Sequence, residues 1–257
     1  MAERSGGVRG GWSGRATPTR RQVLAGGLFL GFMGGSVRAD DPKPYDPTSA
    51  YEPREIEGWT VRVHRRLIQE RDLCDRVLRL TAHQLYQTAR EVPEGPLKRL
   101  RQIPIWVERH HPRHPCACYH ADRSWLIANG FNPDKTGAVE IANPENFLSW
   151  SRQQPWMLLH ELAHGYHDQV LTFEEPRIKA AHAAMVKGGR YESVLHINGS
   201  LRRHYALTNP TEYFAESTEA FFGTNDFYPF VRAELEKHDP EMHRLLQEIW
   251  EVPQGRR

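Results

Sequence analysis

The chain has little cysteine and no long apolar run, and both shortages restrict the classes of protein it can belong to. Three cysteines among 257 residues are too few for the disulfide framework of a small secreted domain. The glycine-rich apolar stretch at residues 23–37 is shorter than the roughly 20 residues that a membrane-spanning helix needs. We therefore expect a hydrophobic core, rather than disulfides or lipid, to hold the domain together.

A basic surface is also missing once the N-terminal segment is considered separately. Residues 1–39 contain six arginines, no lysine and one glutamate, so the remaining chain has 28 basic and 31 acidic residues. The formal net charge of +2 for the whole chain thus becomes about −3 for residues 40–257. A nucleic-acid partner, which requires a basic face, is not expected.

The N-terminal segment, residues 1–39, has the organisation of a secretory signal peptide. Its basic start contains Arg20-Arg21, the apolar stretch follows, and Val37-Arg38-Ala39 provides small residues where a signal peptidase reads them. The paired arginines resemble a bacterial twin-arginine export signal. We expect cleavage, export to the periplasm or the extracellular space, and no stable membrane span afterwards. An uncleaved N-terminal anchor is the alternative.

The rest of the chain is expected to form an arm and one folded domain. Residues 40–57 are rich in Pro, Asp and Glu and predict a linker or extended arm, followed by a domain over residues 58–257. Apolar periodicity predicts an α+β class with a small sheet and a mainly helical C-terminal part. The predicted strands cover 58–67, 102–108 and 137–143, a Pro- and His-rich loop covers 110–120, and the predicted helices cover 69–92, 155–170, 176–187 and 209–222.

One pentapeptide, His160-Glu161-Leu162-Ala163-His164, carries the strongest chemical signal in the chain. On a helix the two histidines lie four residues apart on one face, where they can hold one Zn²⁺ with the glutamate nearby to act on water. The preceding residues, 156–159, are Trp-Met-Leu-Leu and predict that this helix is buried. Buried imidazoles and a buried carboxylate need a shared partner, and a metal is one.

Catalytic zinc usually has three protein ligands, so a third is expected outside the pentapeptide. The metzincin extension is excluded, because His167 and Val170 occupy the positions of its glycine and its last histidine. His167, three residues after His164, could reach the metal only if the helix were bent so that the same face turned towards the metal. The better candidates lie on the predicted helix 209–222, where helical spacing alone does not choose among Glu212, Glu216 and Glu219.

The segment Glu212-Tyr213-Phe214-Ala215-Glu216 resembles the part of the anthrax lethal-factor-type zincins that ends in their glutamate zinc ligand. Together with the HELAH sequence upstream, it is similar to the gluzincin arrangement of metallopeptidases. The resemblance covers the two motif helices and says little about residues 40–135. It implies a zincin-like catalytic domain, one Zn²⁺ per chain held by His160, His164 and Glu216, and hydrolysis of peptide bonds in a peptide or protein substrate.

The resemblance to gluzincins also implies roles for neighbouring residues. Glu161 is the expected general base, which takes a proton from zinc-activated water and passes it to the leaving amine. A second donor to the oxyanion is expected, because zincins of this kind often use a Tyr or His near the third-ligand helix. Tyr205 is our choice for that donor, with His204 and Tyr213 as alternatives.

Two supporting features are expected around this centre. A metal-bound histidine usually donates its other ring N–H to a carboxylate, and Asp168 or Glu219 could accept it. Residues 139–142 precede the motif helix, as the substrate-pairing edge strand does in zincins, where main-chain hydrogen bonds hold an extended peptide. Two other functions stay open, namely zinc-dependent hydrolysis of a non-peptide amide and a non-catalytic secreted binding protein.

The cysteines have three interpretations. Ordinary buried thiols are favoured, and a disulfide from Cys74 to Cys116 or Cys118 would leave an odd thiol. A second metal site at His114, Cys116, Cys118 and His120 is conceivable, but four ligands within seven residues leave little room for tetrahedral geometry.

Overall fold

A five-stranded sheet with the main hydrophobic core on one of its faces forms the centre of residues 45–253, the part of the chain that the computed structural model describes. The predicted signal peptide and the start of the predicted arm, residues 1–44, lie outside the described residues. The fold is mixed α and β with a small mixed sheet, so the predicted α+β class is confirmed at that level. No helix in residues 45–253 is long and apolar enough to cross a membrane.

Five strands make up the sheet: β1 (Tyr51–Ile56), β2 (Trp59–His64), β3 (Ile105–Val107), β4 (Ala117–His120) and β5 (Ala138–Ile141). They follow the spatial order β1-β2-β3-β5-β4, in which the two central pairs are parallel and the two outer pairs are antiparallel. Alternate side chains of the central strands, such as Val61, Ile105 and Val139, are fully buried in the core beneath the helices. This pattern confirms the three strands predicted from the sequence.

The first hairpin corrects the predicted start of the domain. The sequence predicts a linker or arm over residues 40–57, but Tyr51–Ile56 form β1 and pair antiparallel with β2. The turn consists of Glu57 and Gly58, whose φ angles of 51° and 87° suit the two-residue turns that join hairpin strands. The prediction is wrong here because β1 is an edge strand, exposed enough to tolerate charged residues and Pro53.

Helices account for most of the remaining structure between residues 45 and 253. They are α1 (Arg65–Gln69), α2 (Arg71–Glu91), α3 (Glu94–Leu100), α4 (Arg123–Ala128), α5 (Pro144–Trp150), α6 (Met157–Tyr166), α7 (Pro176–Gly188), α8 (Pro210–Phe222), α9 (Arg232–His238) and α10 (Pro240–Ile249). The long amphipathic helix predicted over 69–92 is confirmed as α2, and the predicted Ala-rich helix is confirmed as α7. A separate two-stranded sheet pairs β6 (Val194–Leu195) with β7 (Leu201–Arg202).

The helix α6 packs on the sheet and carries the HELAH sequence. All ten of its residues are buried, as the apolar residues before the motif predict. The helix approaches the sheet closely at Gly165, where an added Cβ would lie 2.6 Å from Ile103 Cδ1 and 3.1 Å from Tyr119 Cε2. Beyond Tyr166 the chain continues as a short π-helical turn, His167–Leu171, so the predicted helix 155–170 consists of two segments.

The helix α8 lies beside α6 and begins at a capped N-terminus. The side chain of Asn209 accepts a hydrogen bond of 2.8 Å from the backbone N–H of Glu212, and Pro210 is the first helical residue. Asparagine at the cap and proline after it are both typical of helix starts. The whole stretch from Glu212 to Phe221 is buried, so this helix places polar side chains inside the protein next to α6.

The edge of the sheet next to α6 is β4, a strand that the sequence does not predict. Residues 110–120 are expected to be a loop, yet Ala117–His120 pair antiparallel with β5. The predicted substrate-pairing edge strand at 139–142 therefore lies inside the sheet, between β3 and β4. The prediction is wrong because the polar side chains of β4, including Cys118 and His120, hide the apolar alternation by which strands are recognised.

Candidate metal centre

Ring nitrogens of His160 and His164 meet a carboxylate oxygen of Glu212 in the interior, between α6 and α8. The two Nε2 atoms lie 3.1 Å apart, and Glu212 Oε2 lies 3.1 Å from His160 Nε2 and 3.4 Å from His164 Nε2. The exposed fractions of His160, His164 and Glu212 are only 0%, 9% and 7%. Two nitrogens and one oxygen therefore converge at a point with little access to water.

Helix geometry explains this convergence. His160 and His164 are four residues apart on α6, so their side chains lie on one face, one turn apart. Glu212 belongs to the first turn of α8, where the Asn209 cap holds the backbone N–H of the same residue. The site thus joins one face of a buried helix to the fixed start of its neighbour.

The spacing of the three atoms fits a small cation. Nitrogen and oxygen ligands of zinc lie about 2.0–2.2 Å from the metal, so two ligand atoms of a tetrahedral site are roughly 3.3 Å apart. The three observed separations are 3.1, 3.1 and 3.4 Å. Two imidazoles and a carboxylate are also a donor set that catalytic zinc sites use. These residues can therefore hold a metal ion.

Glu212 is ionised in this environment. Burial alone would raise the pKa of its carboxyl group. The charge of His164 and the hydrogen bonds from both histidines outweigh the burial, and together they hold the pKa of Glu212 well below its ordinary value. Metal binding needs this ionised carboxylate and, in addition, the release of the protons through which the two Nε2 atoms contact it in the absence of a metal.

The opposite edge of the His160 ring faces two further carboxylates of α8. Nδ1 of His160 lies 2.5 Å from Glu219 Oε1 and 3.7 Å from Glu216 Oε1, and these groups are also close enough together to hold a cation. A proton on Nδ1, donated to Glu219, leaves the Nε2 lone pair directed at His164 and Glu212. Since the same imidazole serves both sides, we interpret Glu219 as its hydrogen-bond acceptor.

Glu216 does not lie where the resemblance puts the third ligand. The carboxylate beside the two Nε2 atoms belongs to Glu212, one helical turn earlier, whereas Glu216 lies on the Nδ1 side of His160. Spacing leaves this choice open because residues four apart on a helix share a face. The choice depends on how far α8 extends along α6, which is a property of the packed helices.

Tyr205 and Glu161 border the same centre. Glu161 follows the first histidine on α6 and is 3% exposed. Tyr205 begins a 3-10 turn, Tyr205–Leu207, which packs against α8. Its hydroxyl donates a hydrogen bond of 3.4 Å to Glu212 Oε1, so the structure brings this predicted residue to the carboxylate of the metal centre.

Three other predicted residues make hydrogen bonds to groups outside the histidine pair. The Tyr213 hydroxyl donates to Asp239 across 2.7 Å, on the far side of α8 from the histidine pair. Nδ1 of His204 accepts a hydrogen bond from the backbone N–H two residues later. Asp168 accepts from the Tyr119 hydroxyl at 2.7 Å, so the carboxylate that reaches a HELAH imidazole comes from α8 instead.

His167, the remaining predicted ligand, lies in an aromatic environment. Its ring contacts Phe173 and Phe214, and neither of its buried ring nitrogens has a hydrogen-bond partner within residues 45–253. Burial, together with the charge of His164, lowers the pKa of His167 to about 4. The imidazole is therefore neutral at pH 7 and packs as part of the core.

Comparisons with known proteins give no relative from which a role could be transferred. No family model matches the chain, and no curated protein and no solved structure matches it either. The interpretation of the metal centre therefore depends on the geometry of the described residues.

Proposed function

We propose that the chain is an exported zinc-dependent metallopeptidase with a zincin-like catalytic domain. In this proposal His160, His164 and Glu212 hold one Zn²⁺, so the third ligand moves from Glu216 to Glu212. The observation that carries the proposal is the convergence of the three ligand atoms at separations of 3.1, 3.1 and 3.4 Å. Burial of the HELAH helix supports it, because the two imidazoles are held on one face of the helix with little access to water.

Glu161 is the general base of the proposed reaction. Zinc held by the three ligands would supply Lewis acidity and lower the pKa of a coordinated water towards 7. The Glu161 carboxylate accepts the proton that the attacking water loses, and it later delivers that proton to the leaving amine. Its place on α6, directly after the first ligand and 3% exposed, keeps this proton transfer away from bulk water.

Tyr205 is the second donor to the oxyanion that forms at the scissile carbonyl. Its hydroxyl lies 3.4 Å from Glu212 Oε1, beside the ligand carboxylate, and the side chain is 6% exposed. A hydrogen bond of this length to a carboxylate is weak, so the hydroxyl can turn to an oxygen that carries more negative charge in the transition state.

The outer edge of β4 is the proposed binding surface for the substrate backbone. β4 is the last strand of the sheet as described over residues 45–253, and it contacts the helix that carries the two histidines. An extended peptide can add to such an edge through main-chain hydrogen bonds, which brings a peptide bond alongside α6 without requiring a particular sequence.

A combined measurement of zinc content and peptide cleavage tests the proposal. The purified chain is expected to carry zinc and to cleave members of a broad peptide library. Glu161→Gln is expected to keep the zinc and lose the cleavage. Glu174→Gln is the matched control, because it makes the same change on a carboxylate whose side chain is 82% exposed.

The other functions are outcomes of the same experiment. Zinc without peptide turnover in the wild type would overturn the peptidase proposal, and turnover of a small non-peptide amide would then identify a different hydrolase. Zinc with no turnover of either substrate would indicate a binding protein. A wild-type chain without zinc would overturn the metal centre itself.

A further inference from the structure

A second group of potential metal ligands lies at the edge of the sheet, built from residues that the proposed reaction does not use. His114, Cys118 and His120 each offer one ligand atom, and these three atoms lie within 4.8 Å of one another. The Cys118 Sγ atom is 3.6 Å from His120 Nε2. None of the three residues is a ligand of the HELAH centre.

Strand geometry explains why Cys118 and His120 are neighbours. Residues two apart on a strand point to the same face of the sheet, and both side chains belong to β4. Cys118 stands directly opposite Glu140 of β5, so that carboxylate shares the face. This polar face is the reverse of the one that carries Val139 and its apolar neighbours into the core beneath the helices.

The chain before β4 completes the group with His114. Its ring lies 5.5 Å from the ring of His120 and 5.0 Å from that of Phe131, measured between centroids. Cys116 is directed elsewhere, because its Sγ atom lies 3.3 Å from the sulfur of Met157 on α6. The sequence suggests four crowded ligands at this place, whereas the structure brings together three that come from a loop and a strand.

Two observations indicate that the group is prepared for a ligand. The Nε2 atom of His114 is buried and has no hydrogen-bond partner within residues 45–253. His120 Nε2 lies 2.5 Å from Glu140 Oε2 and 3.6 Å from Cys118 Sγ, and Lys135 holds Glu140 at 2.6 Å. The Glu140 carboxylate therefore borders the same point as the thiol, so a cation bound there would be flanked by both groups.

We propose that His114, Cys118 and His120 form a second metal site that binds a thiophilic divalent cation, with Zn²⁺ as the cation that fits best. One thiolate and two imidazoles are ligands that zinc accepts, and a fourth position is left for water. Bound there, the cation joins the loop before β4 to the edge strand. The site therefore fixes the position of β4 without taking part in the reaction.

Zinc stoichiometry tests this site directly. A chelator removes metal from the chain, which is then titrated with Zn²⁺ alone, and bound zinc is measured by elemental mass spectrometry. We expect two equivalents for the wild type and one for Cys118→Ser. Cys116→Ser, a matched control two residues away, should retain two equivalents of zinc. The double variant His160→Ala, His164→Ala should retain one equivalent, namely the zinc ion that Cys118→Ser loses.

Cobalt substitution and alkylation make the test independent of how well any variant folds. Co²⁺ in the wild type should give a thiolate-to-cobalt charge-transfer band, and zinc should slow alkylation of Cys118 relative to the stripped wild type. If the wild type binds one equivalent of zinc and the double histidine variant binds none, the second site is overturned. Absence of both the charge-transfer band and the protection of Cys118 would overturn it as well, while leaving the HELAH centre unaffected.

Discussion

The Oε1 atom of Glu219 lies 2.5 Å from Nδ1 of His160, on the edge of the ring away from His164. A carboxylate in this position fixes the tautomer and the orientation of a metal-binding imidazole, and its removal typically weakens metal affinity about 10–100-fold. We expect Glu219→Ala to lower zinc affinity by that factor, as measured by competition with a chelator. Glu248→Ala, which removes a carboxylate that is 67% exposed, is the control. An unchanged affinity in Glu219→Ala would contradict the orienting role.

Substituting Glu212 and Glu216 one at a time by alanine tests which of these two residues of α8 is the zinc ligand. Glu212→Ala should abolish stoichiometric zinc at the HELAH centre, because Glu212 Oε2 is the carboxylate oxygen beside both Nε2 atoms. Glu216→Ala should weaken zinc binding by no more than the about 10–100-fold typical of residues outside the ligand set. Isothermal titration of the stripped chain measures both. The reverse result would return the third ligand to Glu216.

Removal of the Tyr205 hydroxyl should slow the reaction without releasing the metal. Loss of one oxyanion donor typically lowers kcat about 10²–10³-fold, so we expect a decrease of this size for Tyr205→Phe with little change in KM and an unchanged zinc content. Tyr86→Phe is the control, because Tyr86 is 52% exposed on α2. A kcat equal to that of the wild type would assign Tyr205 to packing alone.

The cap of α8 should affect both stability and the rate of peptide cleavage. Asn209→Ala removes the hydrogen bond to the backbone N–H of Glu212 and should lower the free energy of unfolding by about 1 kcal/mol. Because the same cap fixes the turn that carries Glu212, the rate of peptide cleavage should fall as well. Asp122→Ala removes the corresponding cap of α4, where Asp122 accepts from the backbone N–H of Ser124 at 2.7 Å. That variant should lose stability and keep its cleavage rate, and equal rates in both variants would contradict the link.

His167 should make the fold less stable in mild acid. Its pKa is lowered to about 4 in the folded protein, by burial and then by the charge of His164, whereas an ordinary histidine has a pKa of about 6.5. Below pH 6.5 the unfolded chain gains a proton that the folded chain does not, so the stability present above that pH is lost as the pH falls towards 4. Between pH 7 and pH 5 this loss amounts to roughly 2 kcal/mol.

The substitution His167→Phe should reduce this pH dependence. Phenylalanine keeps an aromatic ring beside Phe173 and Phe214 but cannot take up a proton. Urea unfolding at pH 7 and pH 5 measures the difference, and His83→Phe, on the exposed side of α2, is the control. An identical stability difference in wild type and His167→Phe would exclude His167 as its source.

The part of the metal centre that can be read from the sequence is the part that is local. His160 and His164 share a face because four residues complete about one turn of a helix, and that relationship is independent of the rest of the chain. The choice of Glu212 over Glu216 depends on the position of α8 relative to α6. That position results from packing along the whole length of both helices, so spacing within either helix could not give it.

The same distinction applies to the fold. β2, β3 and β5 are predicted because they are buried strands with apolar side chains such as Val61, Ile105 and Val139. β1 and β4 are missed because they are the outer strands of the sheet, where one edge lacks a neighbouring strand in residues 45–253 and polar residues are tolerated. The sequence disfavours a metal site at His114 and Cys118, because the path of the loop between them has no periodic signature.

Gly165 links the HELAH centre to residues that are not metal ligands. A Cβ at this position would come within 2.6 Å of Ile103 Cδ1 and 3.1 Å of Tyr119 Cε2, so those side chains would have to move to make room for it. Gly165 directly follows His164, so the close approach of the helix at this ligand relies on a residue that has no side chain. The neighbours behind the helix therefore belong to the architecture of the centre as much as the side chains in front of it.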